Sequence, residues 1–332
     1  MTGKKIRVGI VAGGLSSEHE ISCISAGGVL ASIDREIFEP TLIGITKTGH
    51  WVLPEENQRL TILDGVLPEI KSGAHVHAED VIKNLDVLFP ILHGPFGEDG
   101  TFQGLCEMLG IRYVGSGVLA SAVAMDKSFA KSIFSSVGLK VADGVVVTSP
   151  EDVDVSHLIY PLFVKPARGG SSRGTTKIKS ASELKSAVIE ALTFDSKVLI
   201  ESAVIGREIE CAVLEIDGVA TASPLVEIKI VGNHEFYDFD AKYLDGATQL
   251  VEPNDLPTEV YSEIQKSAVK AFTALGCKGL ARVDFFYANG EIVINELNTM
   301  PGFTATSVFP KLWQQAGVSY TELISILIKS AL

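Results

Sequence analysis

The chain has 332 residues, enough for two or three domains with a sizeable core. Its formal net charge of −13 argues against nucleic acid and anionic membranes as partners, because both repel an acidic surface. No apolar run approaches the roughly 18 residues of a membrane span, and the first residues lead into a strand-like run rather than a signal peptide. The four cysteines lack metal-ligand spacing, so we expect reduced thiols in a cytoplasmic protein.

The first third of the sequence alternates strand-like and helix-like segments. Strands are predicted at Ile6–Val11, Thr41–Ile45 and Asp86–Leu92, and a helix is predicted from about Glu18. This alternation is typical of an open parallel sheet, in which the loops after the carboxyl ends of the strands carry ligands.

The loop after the first strand, residues 13–20, contains two glycines followed by serines and acids. Ser17 and Glu20 fit a capping box, which favours a structural role for Glu20. Glu18 lies at the ligand edge of the predicted sheet and could bind an ammonium group. The third glycine of a dinucleotide fingerprint is missing, which argues against a nicotinamide dehydrogenase.

The loop after the third strand, residues 93–100, combines glycines with polar side chains. Asp99 is a candidate N-cap for a helix that begins near Thr101. His93, at the strand terminus, either contacts a ligand or packs within the protein, and the residues alone leave both interpretations open.

A glycine-serine loop, residues 167–174, follows a strand predicted at Pro161–Lys165. Its N–H and hydroxyl donors, together with Lys165, suit a phosphate group. It is not a Walker A loop, because the lysine precedes the glycines. The alternative is an exposed, flexible loop without a ligand.

The remaining segments complete a mixed pattern of helices and strands. Helices are predicted near Ser121–Lys131, Ser182–Leu192, Thr258–Leu275 and Tyr320–Leu332, and strands at Lys197–Glu201 and Glu208–Ile216.

The link between those two strands could pair its backbone with adenine, with Glu208 accepting from ribose hydroxyls. Residues 236–243, in a loop-like stretch at 232–246, alternate aromatic and charged groups, which suits either a lid or an edge hairpin.

Two strand-like runs flank Asn289-Gly290 and carry polar groups amid apolar residues. A three-residue loop, 288–290 with a left-handed Gly290, would set Asp284 opposite Ile294 and Arg282 opposite Glu296. We predict that register. It places the polar groups on one face, where their oxygens suit a hard cation such as Mg²⁺; they are Arg282, Asp284, Glu296 and Asn298. The alternative is a hairpin whose acids face solvent.

In this order, the motifs resemble those of the ATP-grasp family and, within it, the D-alanine–D-alanine ligases. The resemblance covers seven segments along nearly the whole chain: Gly13–Ser22, His93–Gly104, Met125–Lys127, Phe163–Gly174, Glu201–Glu208, Phe236–Leu244 and Arg282–Ser307. It implies an α/β ATP-grasp fold, in which an N-terminal open parallel α/β domain precedes two α+β subdomains that sandwich ATP. We predict boundaries at 1–124, 125–208 and 209–332, the last part carrying the lid and the metal site.

The resemblance also implies roles for individual residues. The ATP contacts would be Lys127, Lys165, Ser171, Ser172, Glu201, Ser202, Val204, Glu208, Lys242, Asn295 and Glu296. Two Mg²⁺ or Mn²⁺ ions would be held by Asp284, Glu296 and Asn298. Substrate D-alanine would meet Glu18, His93, Lys242, Tyr243, Arg282, Ser307 and Val308. The catalytic groups would be Glu18, Ser171, Tyr243, Arg282 and the N–H of Gly302.

The implied reaction joins two D-alanines through an acyl phosphate made from ATP, for peptidoglycan precursor synthesis. The resemblance also implies that the enzyme is a homodimer. Two departures are noted: Arg173 replaces a small apolar residue, and Asp240 replaces a common glutamate. Tyr243 favours an amine acceptor over D-lactate. The competing interpretations are a ligase for D-serine, D-lactate or another acceptor, and an ATP-binding regulatory protein without catalysis.

Overall fold

The structure is a computed structural model that describes residues 4–55, 57–230 and 248–332. The predicted lid stretch 236–243, with Asp240, Lys242 and Tyr243, therefore lies outside the described residues. Within the described parts, no helix is long and apolar enough to cross a membrane.

The first sheet has five strands in the order β4-β3-β2-β1-β5. The central strands β2, β1 and β5 are parallel, as predicted, whereas β3 and β4 add an antiparallel edge that the sequence analysis missed. The strands are β1 Ile6–Gly13, β2 Phe38–Ile45, β3 Trp51–Leu53, β4 Ala74–His75 and β5 Val87–Pro90. The helices of this part are α1 His19–Ser32, α2 Ala78–Ile82 and α3 Thr101–Leu109.

The turn between β1 and α1 depends on glycine. Gly13 and Gly14 have φ values of 94° and 100°, and a Cβ on Gly13 would lie 2.2 Å from the carbonyl oxygen of Ile45. The predicted capping box is wrong: the N-cap is Glu18, without a side-chain capping bond, and Glu20 pairs with Lys47. The loop is held instead by Ser16, whose Oγ accepts from the N–H of Glu18 at 3.1 Å.

The helix predicted at Ser121–Lys131 is two helices, α4 Val118–Met125 and α5 Lys127–Ser136. They separate at Asp126, whose extended backbone ends one helix and whose carboxylate accepts from the N–H groups of Ser128 and Phe129 to begin the next. Asp126 also pairs with Lys197. The break makes Lys127 the first residue of α5.

We expect Asp126→Ala to lower the free energy of unfolding by about 1–2 kcal/mol, because the amide groups at the start of α5 lose their acceptor. Asp126→Asn keeps a capping oxygen and should retain most of that stability. Urea denaturation of both variants tests this. Equal losses would mean that the ion pair with Lys197, rather than the cap, supplies the stability.

The second sheet has four antiparallel strands in the order β6-β9-β7-β8. Its strands are β6 Gly144–Val147, β7 Leu162–Pro166, β8 Thr176–Ile178 and β9 Val198–Ser202. A 3₁₀ turn, Ala181–Glu183, leads into helix α6, Leu184–Leu192, which packs on the sheet over a core of its own that includes Val164, Val188 and Ile200. The glycine-serine loop therefore connects two hydrogen-bonded strands, β7 and β8.

The third sheet has five antiparallel strands in the order β12-β11-β10-β13-β14. They are β10 Arg207–Ile216, β11 Val219–Ile230, β12 Thr248–Val251, β13 Leu280–Ala288 and β14 Glu291–Asn298. The helices here are α7 Thr258–Ala274, α8 Val308–Gln315 and α9 Tyr320–Ser330. Because β10 starts at Arg207, the predicted boundary at 208/209 falls inside this strand; the three predicted domain ranges themselves remain predictions.

One hydrophobic core joins the first and third sheets. It contains Val8 and Phe89 from the first sheet, Leu214 from the third, and Trp313 from α8. The rings of Phe89 and Phe303 lie 5.6 Å apart. The segment after β14 is therefore anchored to the N-terminal sheet.

The predicted register of the β13–β14 hairpin is wrong. Asn289 and Gly290 form a two-residue turn, both with positive φ, and Ala288 pairs with Glu291. A bulge then places Asn295 as an extra residue, because Phe285 pairs with Ile294 and Asp284 pairs with Glu296. With the shorter turn alone, Glu296 would point to the opposite face of the sheet from Asp284. The extra residue in the bulge reverses this alternation, so the polar groups share one face even though the predicted loop does not form. Arg282 lies opposite Asn298.

Candidate active site

Two adjacent cavities lie between the three sheets. The first, about 460 Å³, is lined by residues of the second and third sheets, including Phe163 and Phe286. The second, about 430 Å³, is lined by the loops of the first sheet and by the third sheet. Four residues line both cavities and mark where they meet: Lys127, Gly169, Ser171 and Glu296.

The first cavity contains every predicted ATP contact in the described part of the chain. These are Lys127, Lys165, Ser171, Ser172, Glu201, Ser202, Val204, Glu208, Asn295 and Glu296. Asn295 reaches it because of the bulge in β14. Lys242 lies outside the described residues, so its contact stays a prediction.

Buried charges give the first cavity its polarity. Lys165 donates to Glu201 at 2.5 Å, and Nζ of Lys131 lies 3.0 Å from the other oxygen of Glu201. Burial alone would raise the pKa of Glu201, but the charges of Lys131 and Lys165 outweigh it and lower that pKa to about 2. Two cations against one anion suit a polyphosphate. Lys131 was missed, although its position one turn after Lys127 on α5 was a usable signal.

Lys127 connects the two cavities. Its Nζ donates to the carbonyl oxygen of Gly169 at 2.6 Å and lies 3.4 Å from Oε2 of Glu296. Its backbone N–H donates to Ala167 at 2.9 Å. The start of α5 thus holds the glycine-serine loop beside the hairpin of the third sheet.

The second cavity contains the predicted substrate contacts and catalytic groups that the structure describes. They are Glu18, His93, Ser171, Arg282, Gly302, Ser307 and Val308. Glu18 is only 7% exposed, and its Oε1 lies 2.6 Å and 3.3 Å from the positions that a Cβ would take on Gly170 and Gly94. Side chains at those glycines would therefore crowd the carboxylate.

Arg282 lies among acids. Its Nε and Nη2 donate to the two oxygens of Asp284 at 2.7 and 2.6 Å, and its Nε lies 3.2 Å from Oε2 of Glu210. Glu210 is fully buried and pairs with Asp284 across β10 and β13. Sequence analysis missed Glu210, because only the strand pairing brings it to Arg282.

The structure settles the surroundings of His93. Its Nδ1 lies 3.1 Å from the carbonyl oxygen of Met300, which can only accept, so Nδ1 carries the hydrogen and Nε2 accepts from Ser25 at 3.1 Å. Burial lowers the pKa of the ring. His93 thereby ties α1 to the segment that carries Gly302; its predicted substrate contact stays a prediction.

A further acid, Glu98, also lines the second cavity and was not among the predicted site residues. It lies in the loop that begins at His93. The prediction that Asp99 caps the following helix is wrong, because the N-cap is Gly100; Asp99 instead holds the loop by accepting from the N–H of Thr101 at 2.9 Å. Glu98 Oε1 accepts from the N–H of Gly94 at 2.6 Å.

The hairpin face offers oxygen donors for a hard cation. Within residues 4–55, 57–230 and 248–332 there is no group of three or more His, Cys, Asp or Glu arranged around a metal position. Asp284 and Glu296 are nevertheless direct cross-strand partners, and Asn298, whose Nδ2 donates to Asp284 at 3.2 Å, lies beside them. Two carboxylates and an amide fit Mg²⁺ or Mn²⁺ that completes its coordination with phosphate oxygens and water.

Gly302 and Ser307 form a compact turn at the far wall of the second cavity. The Oγ of Ser307 lies 3.1 Å from the position of a Cβ on Gly302 and accepts from the N–H of Thr304 at 3.1 Å. Tyr320 donates to the carbonyl oxygen of Phe303 at 2.6 Å and fixes the turn to α9.

Comparison with known proteins covers nearly the whole chain. Residues 7–116 match the family model for the D-ala D-ala ligase N-terminus, and residues 133–329 match that for the C-terminus. D-alanine–D-alanine ligases of Kineococcus radiotolerans and Mycobacterium tuberculosis are 47% and 44% identical; each alignment covers 99% of this chain and 97% or 96% of the relative.

Solved structures show the same similarity. The D-Ala:D-Ser ligase VanG of Enterococcus faecalis has a TM-score of 0.84 at 34% identity, over 99% of this chain and 100% of that one. The D-alanine–D-alanine ligase of Bacillus anthracis complexed with ATP has a TM-score of 0.78 at 29% identity, over 98% and 97% of the two chains.

Proposed function

The chain belongs to the D-alanine–D-alanine ligase family, and on that premise we propose how its residues divide the reaction. Its fold is ATP-grasp, as predicted, and it is an enzyme that uses ATP to ligate two D-alanines into D-alanyl-D-alanine for peptidoglycan precursor synthesis. The observation that carries the division of roles is the junction of the two cavities at Lys127, Gly169, Ser171 and Glu296.

ATP occupies the first cavity in this proposal, with its phosphates towards the junction. Lys127 and Lys165 bind phosphate oxygens, Glu201 and Val204 bind adenine, and Glu208 binds the ribose. A carboxylate is a poor electrophile, so the first D-alanine is activated by transfer of the γ-phosphoryl group to its carboxylate. The cationic lining around Glu201 supports this placement.

Asp284, Glu296 and Asn298 would hold two Mg²⁺ or Mn²⁺ ions beside those phosphates. When bound, the ions would neutralise charge on the transferring phosphoryl group. The cross-strand pairing of Asp284 with Glu296, which lines the ATP cavity, supports this assignment.

The first D-alanine binds through its ammonium group to Glu18. Ser171 supports that contact from the glycine-serine loop, since Gly170 packs directly on the Glu18 carboxylate. Lys242 and Tyr243, outside the described residues, complete the contacts by family resemblance. The predicted lid, residues 236–243, would exclude water from the acyl phosphate.

The second D-alanine places its carboxylate at Ser307 and Val308. Arg282 and the N–H of Gly302 stabilise the oxyanion that forms when the amine attacks the acyl carbonyl.

We also propose, from family resemblance, that the enzyme is a homodimer and acts in the cytoplasm, where ATP and D-alanine are available.

Phosphate release tests the function directly. The enzyme is mixed with ATP, Mg²⁺ and D-alanine, L-alanine, D-serine or D-lactate, alone and in pairs, and products are identified by mass. Formation of ADP and D-alanyl-D-alanine with D-alanine alone is expected. A mixed product with D-serine, the acceptor named for the Enterococcus structure, would assign a different second substrate, and no turnover with any pair would contradict the ligase function.

A further inference from the structure

We propose that Glu98 is the catalytic base that removes a proton from the ammonium group of the second D-alanine. This inference rests on the proposed function, because it concerns the acceptor half of that reaction. The resemblance and the sequence assign no residue to this step, although an ammonium group has no lone pair and cannot attack a carbonyl.

The position of Glu98 supports this role. It lines the second cavity together with Arg282, Gly302 and Ser307, the groups proposed to hold the oxyanion and the acceptor carboxylate. Its carboxylate is held by the N–H of Gly94 at 2.6 Å, and the backbone N–H of Glu98 donates to the carbonyl oxygen of Gly94 at 2.9 Å. This closed loop fixes the carboxylate at the cavity wall.

The other ionisable groups of the cavity have different tasks. Among the described residues they are Glu18, His93, Lys127, Arg282, Glu296 and Lys311. Glu18 binds the first ammonium group and Glu296 faces the phosphates, whereas both ring nitrogens of His93 already have partners. The lysines and Arg282 are cations, so Glu98 is the remaining acceptor for a proton.

The environment of Glu98 tunes it for proton transfer. Burial and the nearby charge of Glu18 raise its pKa to about 8, against the lowering effect of hydrogen bonds from Gly94 and Met300 and of the charge of Arg282. A base works best when its pKa is near the working pH. The ammonium group of the first D-alanine offsets the charge of Glu18, so its binding should lower the pKa of Glu98 and create the base once the first substrate is in place.

The chemistry balances. The Glu98 carboxylate takes one proton from the acceptor ammonium group, and the freed lone pair forms the C–N bond to the acyl carbonyl carbon. The carbon–oxygen bond to the phosphoryl group then breaks, and its electron pair leaves on phosphate, which takes the second proton of the nitrogen. Glu98 releases its proton to solvent when the dipeptide leaves.

Hydroxylamine provides a test, because it is unprotonated at neutral pH and attacks an acyl phosphate without a base. We expect Glu98→Gln to retain ATP-dependent formation of D-alanyl hydroxamate within about threefold of the wild type while ligation to D-alanine falls by about 10²–10⁴-fold. Glu98→Asp should recover part of the ligation. Glu79→Gln, which removes the same charge from an exposed position on α2, is the matched control.

The pH profile adds a second measurement. Wild-type kcat should rise with pH to a plateau below pH 8, since the carboxyl must lose its proton to act; for Glu98→Gln the rise should continue towards the pKa of the free amine. Unchanged ligation by Glu98→Gln, or an equal loss of hydroxamate and dipeptide in a folded variant, would overturn the proposal. A wild-type enzyme that forms neither product would instead contradict the proposed function.

Discussion

Glu296→Gln should reduce turnover by about 10²–10³-fold and leave the fold intact. Glutamine keeps the size of the side chain but not its charge, and a bound cation contributes several kcal/mol of charge stabilisation, about 1.4 kcal/mol for each tenfold in rate. Glu296 lies where this loss matters most, opposite Asp284 and at the wall shared by both cavities.

Steady-state kinetics over a Mg²⁺ titration, with circular dichroism to follow the fold, provide the measurement. Glu291→Gln is the matched control, because Glu291 begins the same strand and pairs with Lys140 at the exposed end of the hairpin. Near-normal turnover of Glu296→Gln at saturating Mg²⁺ would contradict the metal assignment.

Arg282→Ala should have the second large effect, on both stability and rate. The substitution leaves the buried carboxylates of Asp284 and Glu210 without the guanidinium that lies between them, which should cost about 3–5 kcal/mol in the free energy of unfolding. It also removes the donor that we propose for the oxyanion, so kcat should fall by about 10²–10³-fold.

A double variant separates these effects. Adding Glu210→Gln to Arg282→Ala removes one uncompensated charge, so part of the stability should return while kcat stays low. Urea denaturation and kinetics test both variants, with Arg282→Lys as the control that keeps a positive charge. If the double variant is no more stable than the single one, Arg282 does not compensate Glu210.

The sequence was sufficient, through its resemblance to a family, to predict groups that line the first cavity, and through its alternating strand pattern to predict the polar face of the hairpin. It was insufficient for the register. The Asn289-Gly290 turn was visible, but the bulge at Asn295 adjoins a tertiary hydrogen bond, from the N–H of Ile294 to the carbonyl oxygen of Lys140, that no local pattern reveals.

Glu98, Glu210 and Lys131 were missed for a related reason. Each is a charged residue whose sequence neighbours suggest a solvated loop, strand or helix face. The partners of Glu210 and Lys131 are distant in sequence, and Glu98 reaches the second cavity through the packing of its loop. Glu210 on β10 forms an ion pair with Arg282 on β13, and Lys131 on α5 forms an ion pair with Glu201 on β9. The break between α4 and α5 at Asp126 was also missed. It was more predictable than these three residues, because an aspartate inside a predicted helix signals a possible N-cap.

The distribution of hydrophobic cores constrains how the enzyme can open. The first and third sheets share one core through Phe89, Leu214 and Trp313, whereas the second sheet packs with α6 on a separate core. Units with separate cores can rotate as rigid bodies about the segments that join them. A movement of the second sheet would therefore admit nucleotide and carry Gly170 and Ser171 away from Glu18, whereas Glu18, Arg282 and Gly302 would keep their mutual geometry.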